Sequence, residues 1–233
     1  MKWMRATVIS AFVAAVGLQM VGCVGSMQAR SVDIKDSPLV SAAILEPGSA
    51  DQALYRYVNR KVDFRQYGKA IVEPVLIMKD GELSNDELQD YQKLANNAYV
   101  YLTQELGKDY ALVQAPEPGT FRVQMAIIDA DNSKPVRNTL SSVMPIGIGL
   151  SAVKYAATGK QSGVGEITVE MKVTDAASGE LLGAALDRRV GGKTPEGIVD
   201  TWYNADEGLK YWAKRLAFVL CDMRGGGTNC VKP

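Results

Sequence analysis

The sequence predicts an α+β domain, in which an antiparallel or mixed sheet of about five strands carries two helices packed on one face. Residues 121–129 and 166–174 alternate apolar and polar side chains, which is typical of strands with one face toward a core. Residues 84–106, and a segment that begins near Asn204, place apolar side chains at helical spacing. Because most strands follow one another as hairpins, the helices are expected to share one face of the sheet.

The first long strand and the first helix are separated by a short turn. Residues 69–78 are mostly apolar, which favours a central strand covered on both sides, and Pro74 predicts a bulge or a strand edge within it. Ser84 and Glu87 form a capping box, and apolar residues at helical spacing follow them. The sequence therefore predicts a helix over residues 84–106.

The most regular alternation lies in residues 166–174, after a short predicted strand at residues 110–114 and the strand at residues 121–129. Apolar residues at every second position are expected to face the core. The polar side chains of this strand are expected to face water: Glu166, Thr168, Glu170 and Lys172.

A hairpin and a helix complete the predicted domain. Ser178-Gly179 is a turn signal that leads into a strand at residues 181–190. Asn204 and Glu207 are expected to cap the last helix, which carries apolar residues as far as Leu220.

The amino-terminal residues have the pattern of an export signal. Lys2 and Arg5 precede an uncharged stretch, residues 6–29, and the small residue Gly22 stands before Cys23. A basic start, a short apolar core and a small residue at the exit are typical of a secretory signal peptide.

Met20-Val21-Gly22-Cys23 resembles the lipobox of bacterial lipoproteins. The resemblance implies cleavage between Gly22 and Cys23, and lipid, including palmitate, on Cys23. Because Val24 replaces the aspartate that tends to retain lipoproteins in the inner membrane, the same resemblance favours the outer membrane. Two alternatives stay open: an uncleaved membrane anchor, and ordinary secretion after cleavage behind Ala29.

These signals divide the chain into four parts. Residues 1–22 are assigned to the lipoprotein signal peptide, and residues 23–50 to a lipidated amino terminus and flexible tether. Residues 51–223 are assigned to a periplasmic α+β domain, whose first residues, 51–68, form an irregular lead-in with aromatic side chains packed on the domain. Residues 224–233 are the tail.

Composition excludes several classes of function. The formal net charge is zero and no basic patch stands out, so no nucleic-acid partner is expected. The chain has no histidine, which excludes Ser-His-Asp and Cys-His catalysis and the commonest zinc ligand. The acidic residues after position 128 lack the glycine and the terminal acid of a calcium loop. We therefore expect neither a metal nor a cofactor.

Two cysteines remain besides Cys23. Cys221 and Cys230 are nine residues apart, and the predicted compartment is oxidising. The sequence predicts a disulfide that closes the end of the last helix. The alternative is two separate thiols, one buried on the helix and one in the tail.

Residues 55–78 carry Tyr-Arg ahead of Asp63, then Tyr67-Gly-Lys ahead of Val72-Glu-Pro-Val75. This arrangement resembles the opening of an uncharacterised family of bacterial lipoproteins, domain of unknown function 3313. The resemblance covers roughly residues 50–222 and agrees with the lipobox and the order of elements. It implies an envelope lipoprotein and brings no catalytic residues.

The apolar segment at residues 143–155 is rich in glycine and proline and joins two predicted strands. It is too short to span a bilayer. Long connections usually carry some structure of their own, which favours a connecting helix, residues 148–157, packed on the core. The alternative is a loop that docks a partner or touches the membrane. The candidate contact residues are Val143, Pro145, Ile146, Ile148 and Leu150.

Together these observations predict a non-enzymatic lipoprotein of the outer membrane, whose periplasmic domain binds an envelope protein partner. One alternative is a cell-envelope hydrolase that uses carboxylates such as Glu73 or Asp187. Because Glu73 lies in an apolar strand, it needs a partner, for which Arg188 or Arg189 is a candidate, unless it faces water at an edge. The other alternative is a carrier of a small ligand or lipid, which requires a deep apolar cavity.

Overall fold

A computed structural model of the chain describes residues 26–29, 31–32, 37–49, 51–78, 84–128, 140–141, 166–191 and 201–233. These residues form two helices, α1 (Asn85–Leu106) and α2 (Thr201–Met223). They also form ten strand segments: β1 (Ser26–Gln28), β2 (Glu46–Pro47), β3 (Tyr55–Val58), β4 (Lys69–Val72), β5 (Leu76–Met78), β6 (Ala111–Leu112), β7 (Thr120–Ile128), β8 (Leu140–Ser141), β9 (Glu166–Asp175) and β10 (Leu181–Gly191).

All of these strands belong to one mixed sheet, whose main order is β2-β3-β10-β9-β7-β4-β6. Strands β7, β9 and β10 pair antiparallel, whereas β4 and β5 run parallel to β7 because α1 crosses over between them. Strand β1 pairs with β10 beyond the end of β3, and β8 pairs with β5. The predicted α+β class is confirmed, but the sheet is wider than the five strands expected.

Strands β4 and β5 are two parts of one strand interrupted at Pro74, as predicted. Val72 lies opposite Val123 and Leu76 lies opposite Ala126, so the β4–β5 line holds one residue more than β7 between these pairs. An extra residue of this kind is a bulge, and it places the missing N–H of proline where no ladder bond is needed.

Helices α1 and α2 lie side by side on one face of the sheet. Helix α1 begins one residue later than predicted and ends at the predicted residue. Gly107 closes α1 tightly: a Cβ there would lie 2.8 Å from the carbonyl oxygen of Thr103. Helix α2 begins at Thr201, so the predicted cap at Asn204 is wrong; Asn204 lies inside the helix and is buried.

The core beneath the helices is built from the alternating residues that the sequence identified. Its largest side chain is Trp212, which is 2% exposed. The core cluster around Trp212 includes the strand residues Val75, Ile77, Met125, Ile127, Ile167, Val169 and Met171. Fully burying each such side chain stabilises the fold by roughly 1.5–3 kcal/mol.

The opposite face of the sheet is covered by the amino-terminal segment. Val32 and Leu45 are buried there, against sheet residues such as Ile128 and Leu186. This contact departs from the expectation of a free tether over residues 23–50, since the described part of that range lies on the sheet. The division of the chain into signal, tether, domain and tail otherwise stays a prediction.

The prediction that polar residues of β9 face water is wrong for two of them. Thr168 is 1% exposed and Glu170 is 0% exposed. Their side chains do lie on the face away from the helices, but the amino-terminal segment covers that face.

The predicted disulfide between Cys221 and Cys230 is confirmed, with the two Cα atoms 5.7 Å apart. Gly226 lies directly against it: a Cβ there would meet the two sulfur atoms at 2.6 and 2.7 Å. The glycines after α2 thus let the tail fold back onto the helix end. Within the residues described, neither helix is long and apolar enough to cross a membrane.

Candidate functional site

A cavity of about 250 Å³ lies between the carboxyl-terminal half of α2 and the strands β3 and β10, and it is partly open to solvent. Helix α2 supplies one wall and the β9–β10 hairpin supplies the floor. Most of the lining is apolar, and its large members include Phe64, Met171, Val173, Leu182, Trp212, Leu216, Phe218 and Val219.

Asp187 is the buried acid of this cavity, at 3% exposed. Its Oδ2 accepts a hydrogen bond of 2.9 Å from the indole Nε1 of Trp212. Its Oδ1 accepts bonds from the side chain of Gln28 at 2.7 Å and from the backbone N of Leu54 at 3.1 Å. Because three donors of the chain itself engage the carboxylate, it joins α2, β1 and the β2–β3 loop.

The rim of the cavity carries charged side chains. Arg56 and Arg215 line it, as does Asp222. The guanidinium of Arg215 lies 5.1 Å from the ring centre of Phe218 and donates to the backbone oxygen of Asp51. These groups leave the mouth polar and the interior apolar, an arrangement that suits an apolar group entering from solvent.

Asp51 links the β2–β3 loop to the end of the chain. It has a φ of 70°, in the left-handed region that a non-glycine residue rarely adopts. Its carboxylate lies 2.9 Å from the Nζ of Lys232, and the hydrogen bond from Lys232 lowers the pKa of Asp51. Both side chains are exposed, so this ion pair adds little stability and does not lock the loop.

Among the residues that the structure describes, two other carboxylates are buried. On the helix side, Asp206 of α2 accepts hydrogen bonds of 2.9 Å from Asn97 and Tyr101 of α1 and lies 3.0 Å from the Nζ of Lys210. Partial burial opposes the charge of Lys210, but its bonds to Glu207 and Asp206 outweigh that effect and raise its pKa. The Asp206 cluster therefore fixes the two helices relative to each other.

On the opposite face, Glu170 holds the amino-terminal segment. Its Oε1 accepts from the Ser37 hydroxyl at 2.7 Å, and its Oε2 accepts from the backbone N of Leu39 at 2.8 Å. Burial raises the pKa of Glu170 above its usual 4.5, although these hydrogen bonds act in the opposite direction. Sequence reasoning missed this contact, because nothing in residues 37–40 signals a partner for a strand residue.

The carboxylates considered for a hydrolase do not meet. Glu73 forms an ion pair with Arg122 of β7, so the expectation of Arg188 or Arg189 as its partner is wrong. Strands β4 and β10 are three places apart in the sheet, so their backbones lie about 14 Å apart, and Glu73 and Asp187 each bind a different partner. Glycosidases need their two carboxyl groups within about 5–9.5 Å.

Arg189 belongs to the helix side of β10 instead. Its guanidinium carbon lies 3.6 Å from the ring centre of Tyr211, and burial lowers the pKa of Arg189. Close approach of α2 at this point depends on Gly208, where a Cβ would lie 3.1 Å from Ile167.

Several predicted site residues lie outside the described part of the chain. These are the lipidation and cleavage residues Gly22 and Cys23, and the partner-contact candidates Val143, Pro145, Ile146, Ile148 and Leu150. Their roles stay predictions. Among the residues that are described, no group of three potential ligands from histidine, cysteine, aspartate and glutamate is placed to hold a metal ion.

The cavity itself was not predicted. It forms where α2 lies opposite β3. Because residues 51–68 were expected to be an irregular lead-in, no strand was expected at this position. A useful signal was present in β3, Tyr55–Val58, where aromatic residues alternate with other side chains. Four residues are too few for a period to be separated from chance.

The fold and the cavity define a class: a sheet covered by two helices on one face and by an irregular segment on the other, with an apolar cavity beside the last helix. A family model described as "Protein of unknown function (DUF3313)" matches residues 35–216. The chain belongs to this family, which confirms the resemblance drawn from residues 55–78. No curated protein matches the chain.

Solved structures with partial similarity include a DUF4136 family protein, BT2437, from Bacteroides thetaiotaomicron VPI-5482, with 14% identity and a TM-score of 0.38 over 75% of this chain and 98% of that one. The PelC dodecamer from Paraburkholderia phytofirmans has 14% identity and a TM-score of 0.35 over 70% and 92%. A candidate lipoprotein from Caulobacter crescentus CB15 has 9% identity and a TM-score of 0.30 over 64% and 91%. TM-scores at this level carry no inference about function.

Proposed function

We propose that the protein is a non-enzymatic lipoprotein of the outer membrane, whose periplasmic domain binds an envelope protein partner. The lipobox-like Met20-Val21-Gly22-Cys23 supports lipid attachment at Cys23, and Val24 supports the outer membrane. The hydrogen-bonded buried carboxylates and the apolar cavity of the domain support binding rather than catalysis.

The observation that carries the proposal is the contrast between the buried acids and the cavity. Glu170, Asp187 and Asp206 each accept hydrogen bonds from donors of this chain, which is the pattern of structural carboxylates. The cavity beside α2 is lined mostly by apolar side chains instead. An apolar pocket with a polar rim is where a partner's large side chain gains most from desolvation.

The size of the cavity favours a protein partner over a carried ligand. Ligand sites of drug-sized molecules usually enclose about 300–1,000 Å³. At about 250 Å³, this cavity suits one or two large apolar side chains. A carrier of a small apolar ligand stays the second candidate, because the same lining would accept it.

Substitution of Val219 tests the proposal. Val219 lines the cavity and is half-buried, so Val219→Trp should fill the space without disturbing the core. Val100→Trp is the matched control, since Val100 is 42% exposed on α1. Tagged, full-length versions would be cross-linked in intact envelopes, and captured proteins identified by mass spectrometry.

We expect one identified partner with the wild type and with Val100→Trp, reduced at least tenfold with Val219→Trp. Equal capture by the two variants, with Val219→Trp folded, would refute the cavity as the binding site. A small molecule released from purified wild type, but absent from Val219→Trp, would favour the carrier instead.

The anchor is tested separately. The mature amino-terminal peptide should carry the mass of acyl chains on Cys23, and Cys23→Ala should release the protein from the membrane fraction. Density separation of the two membranes then tests the outer-membrane assignment, which fails if the wild type follows inner-membrane markers.

A further inference from the structure

The strand β1 joins the amino terminus to the middle of the sheet. Its register on β10 pairs Ser26 with Gly191 and Gln28 with Arg189. The ladder continues with a bond of 2.8 Å from the N of Ala29 to the carbonyl of Arg188.

Side-chain contacts hold β1 as well. The Gln28 amide donates at 2.7 Å to the carboxylate of Asp187 and at 2.7 Å to the backbone oxygen of Gln52. Strand β1 is therefore part of the folded domain.

Only Val24 and Gly25 stand between Cys23 and this strand. Three residue steps reach at most ~11 Å when fully extended. The headgroup layer on each side of a bilayer is roughly 5–8 Å thick, so acyl chains on Cys23 would hold Ser26 at the lipid surface.

The surface at this point suits a bilayer. Met27 is 51% exposed on β1, so its apolar side chain is free to enter the headgroup layer. No charged residue occurs from Val24 to Ala29, so burial in the headgroup layer carries no charge desolvation penalty there.

We infer that the β1 corner of the domain lies directly against the leaflet that holds the lipids of Cys23, with Met27 in the headgroup layer. This inference rests on the proposed lipidation of Cys23. It replaces a domain hanging from a flexible tether by one with a fixed membrane-facing side. The opposite edge of the sheet, β6, lies four strand places from β10, about 19 Å away across the sheet.

The test uses the full-length lipidated protein in vesicles of phosphatidylethanolamine and phosphatidylglycerol. Met27→Cys provides a thiol for an environment-sensitive fluorophore, and Leu112→Cys is the matched control. Leu112 is 44% exposed in β6, at the far edge of the sheet. Vesicles containing lipids spin-labelled at the headgroup then quench probes that lie in that layer.

We expect at least threefold stronger quenching at Met27 than at Leu112. A second variant inserts twelve glycine and serine residues between Gly25 and Ser26, a spacer of roughly 20 Å in root-mean-square length. In that variant, quenching at Met27 should fall to the level of Leu112.

Equal quenching at the two sites, or quenching at Met27 that the spacer does not change, overturns the inference while leaving the lipid anchor intact. Protein that lacks the acyl mass and does not float with the vesicles overturns the anchor, and the inference with it.

Discussion

The two faces of the sheet are covered by segments of very different character. On one face, α1 and α2 bury Trp212 and a continuous set of aliphatic side chains. On the other, the irregular segment around Val32 and Leu45 covers Leu186 and its neighbours. Burial is nearly complete on both faces, so a regular cover is not required for a dry interior.

Two buried acids, Asp206 beneath the helices and Glu170 on the other face, are also held differently. On the helix face, Asp206 is engaged by side chains, including a lysine that supplies a compensating charge. On the other face, Glu170 is held by a serine hydroxyl and a backbone N–H. Neutral donors compensate a buried charge less completely than a lysine does, and burial raises the pKa of Glu170, so stability should depend on pH through this residue.

The largest effect is expected on the helix face. Trp212→Ala should lower the free energy of unfolding by about 3–5 kcal/mol, because it leaves a cavity and removes a donor from Asp187. Trp212→Phe should cost less, roughly 1–3 kcal/mol, since it removes mainly that donor. Urea unfolding measures both; a loss below about 1 kcal/mol for Trp212→Ala would contradict the close fit of α2 on the sheet.

The other face is tested by Leu186→Ala. Leu186 is 0% exposed beneath the amino-terminal segment, so the substitution should cost about 2–5 kcal/mol. If the segment covered the sheet only loosely, the site would collapse or fill with water. A loss under 1 kcal/mol in the same unfolding assay would show that the amino-terminal segment packs on the sheet less closely than the helices do.

The disulfide fixes the carboxyl-terminal end of α2 to the tail. Replacing both Cys221 and Cys230 by serine should lower the free energy of unfolding by roughly 2–3 kcal/mol, because the bond closes a short loop of the unfolded chain. The effect should be absent when reduced wild type is compared with the double variant. A difference between those two samples would show that serine itself disturbs the site.

The smallest effect is a pH dependence from Glu170. Its pKa is raised in the folded state, so the folded protein binds a proton more tightly than the unfolded chain does. The contribution of Glu170 to stability should therefore grow as the pH falls from neutral through the folded pKa toward 4.5, the unfolded value.

The measurement is the difference in free energy of unfolding between wild type and Glu170→Gln from pH 4.5 to pH 8, since other groups cancel in it. A difference between wild type and Glu170→Gln that does not change with pH would contradict the burial of this carboxylate.

Ser37→Ala should lower the free energy of unfolding by about 1 kcal/mol, because it removes one hydrogen-bond donor to Glu170.

Most of the helix face could be predicted from the sequence. Helix α1 and strands β7 and β9 have clear periods, and the two strands carry the core residues of the helix face at alternate positions. The parallel pairing of β4 and β5 with β7 could not be predicted. Alternation of apolar and polar residues indicates which face of a strand is buried, but it does not indicate which strands lie beside it.

The second face could not be predicted, for a physical reason. Its cover has no repeating period, and β9 presents Thr168 and Glu170 to it, which resemble a solvated surface in sequence. A polar residue on a strand is assigned to water unless its partner is known. The partners of Glu170 are Ser37 and Leu39, more than 130 residues away in the chain.

The candidate site was harder still. The cavity arises where β3, β10 and α2 meet, and no single segment carries its pattern. The apolar residues of α2 that line it are the same kind that build a core, so spacing alone assigns them all to the interior.

Hydrogen exchange of the lipidated, full-length protein tests whether the amino-terminal segment is a folded layer of the domain. We expect slow exchange at the N–H of Leu39, which binds Glu170, and at that of Gly48, which bonds to the carbonyl of Leu54 at 2.9 Å. Exchange in residues 37–49 at the rate of an unfolded peptide, with α1 and β9 protected, would contradict it. The domain would then hang from a tether, with one face of its sheet open.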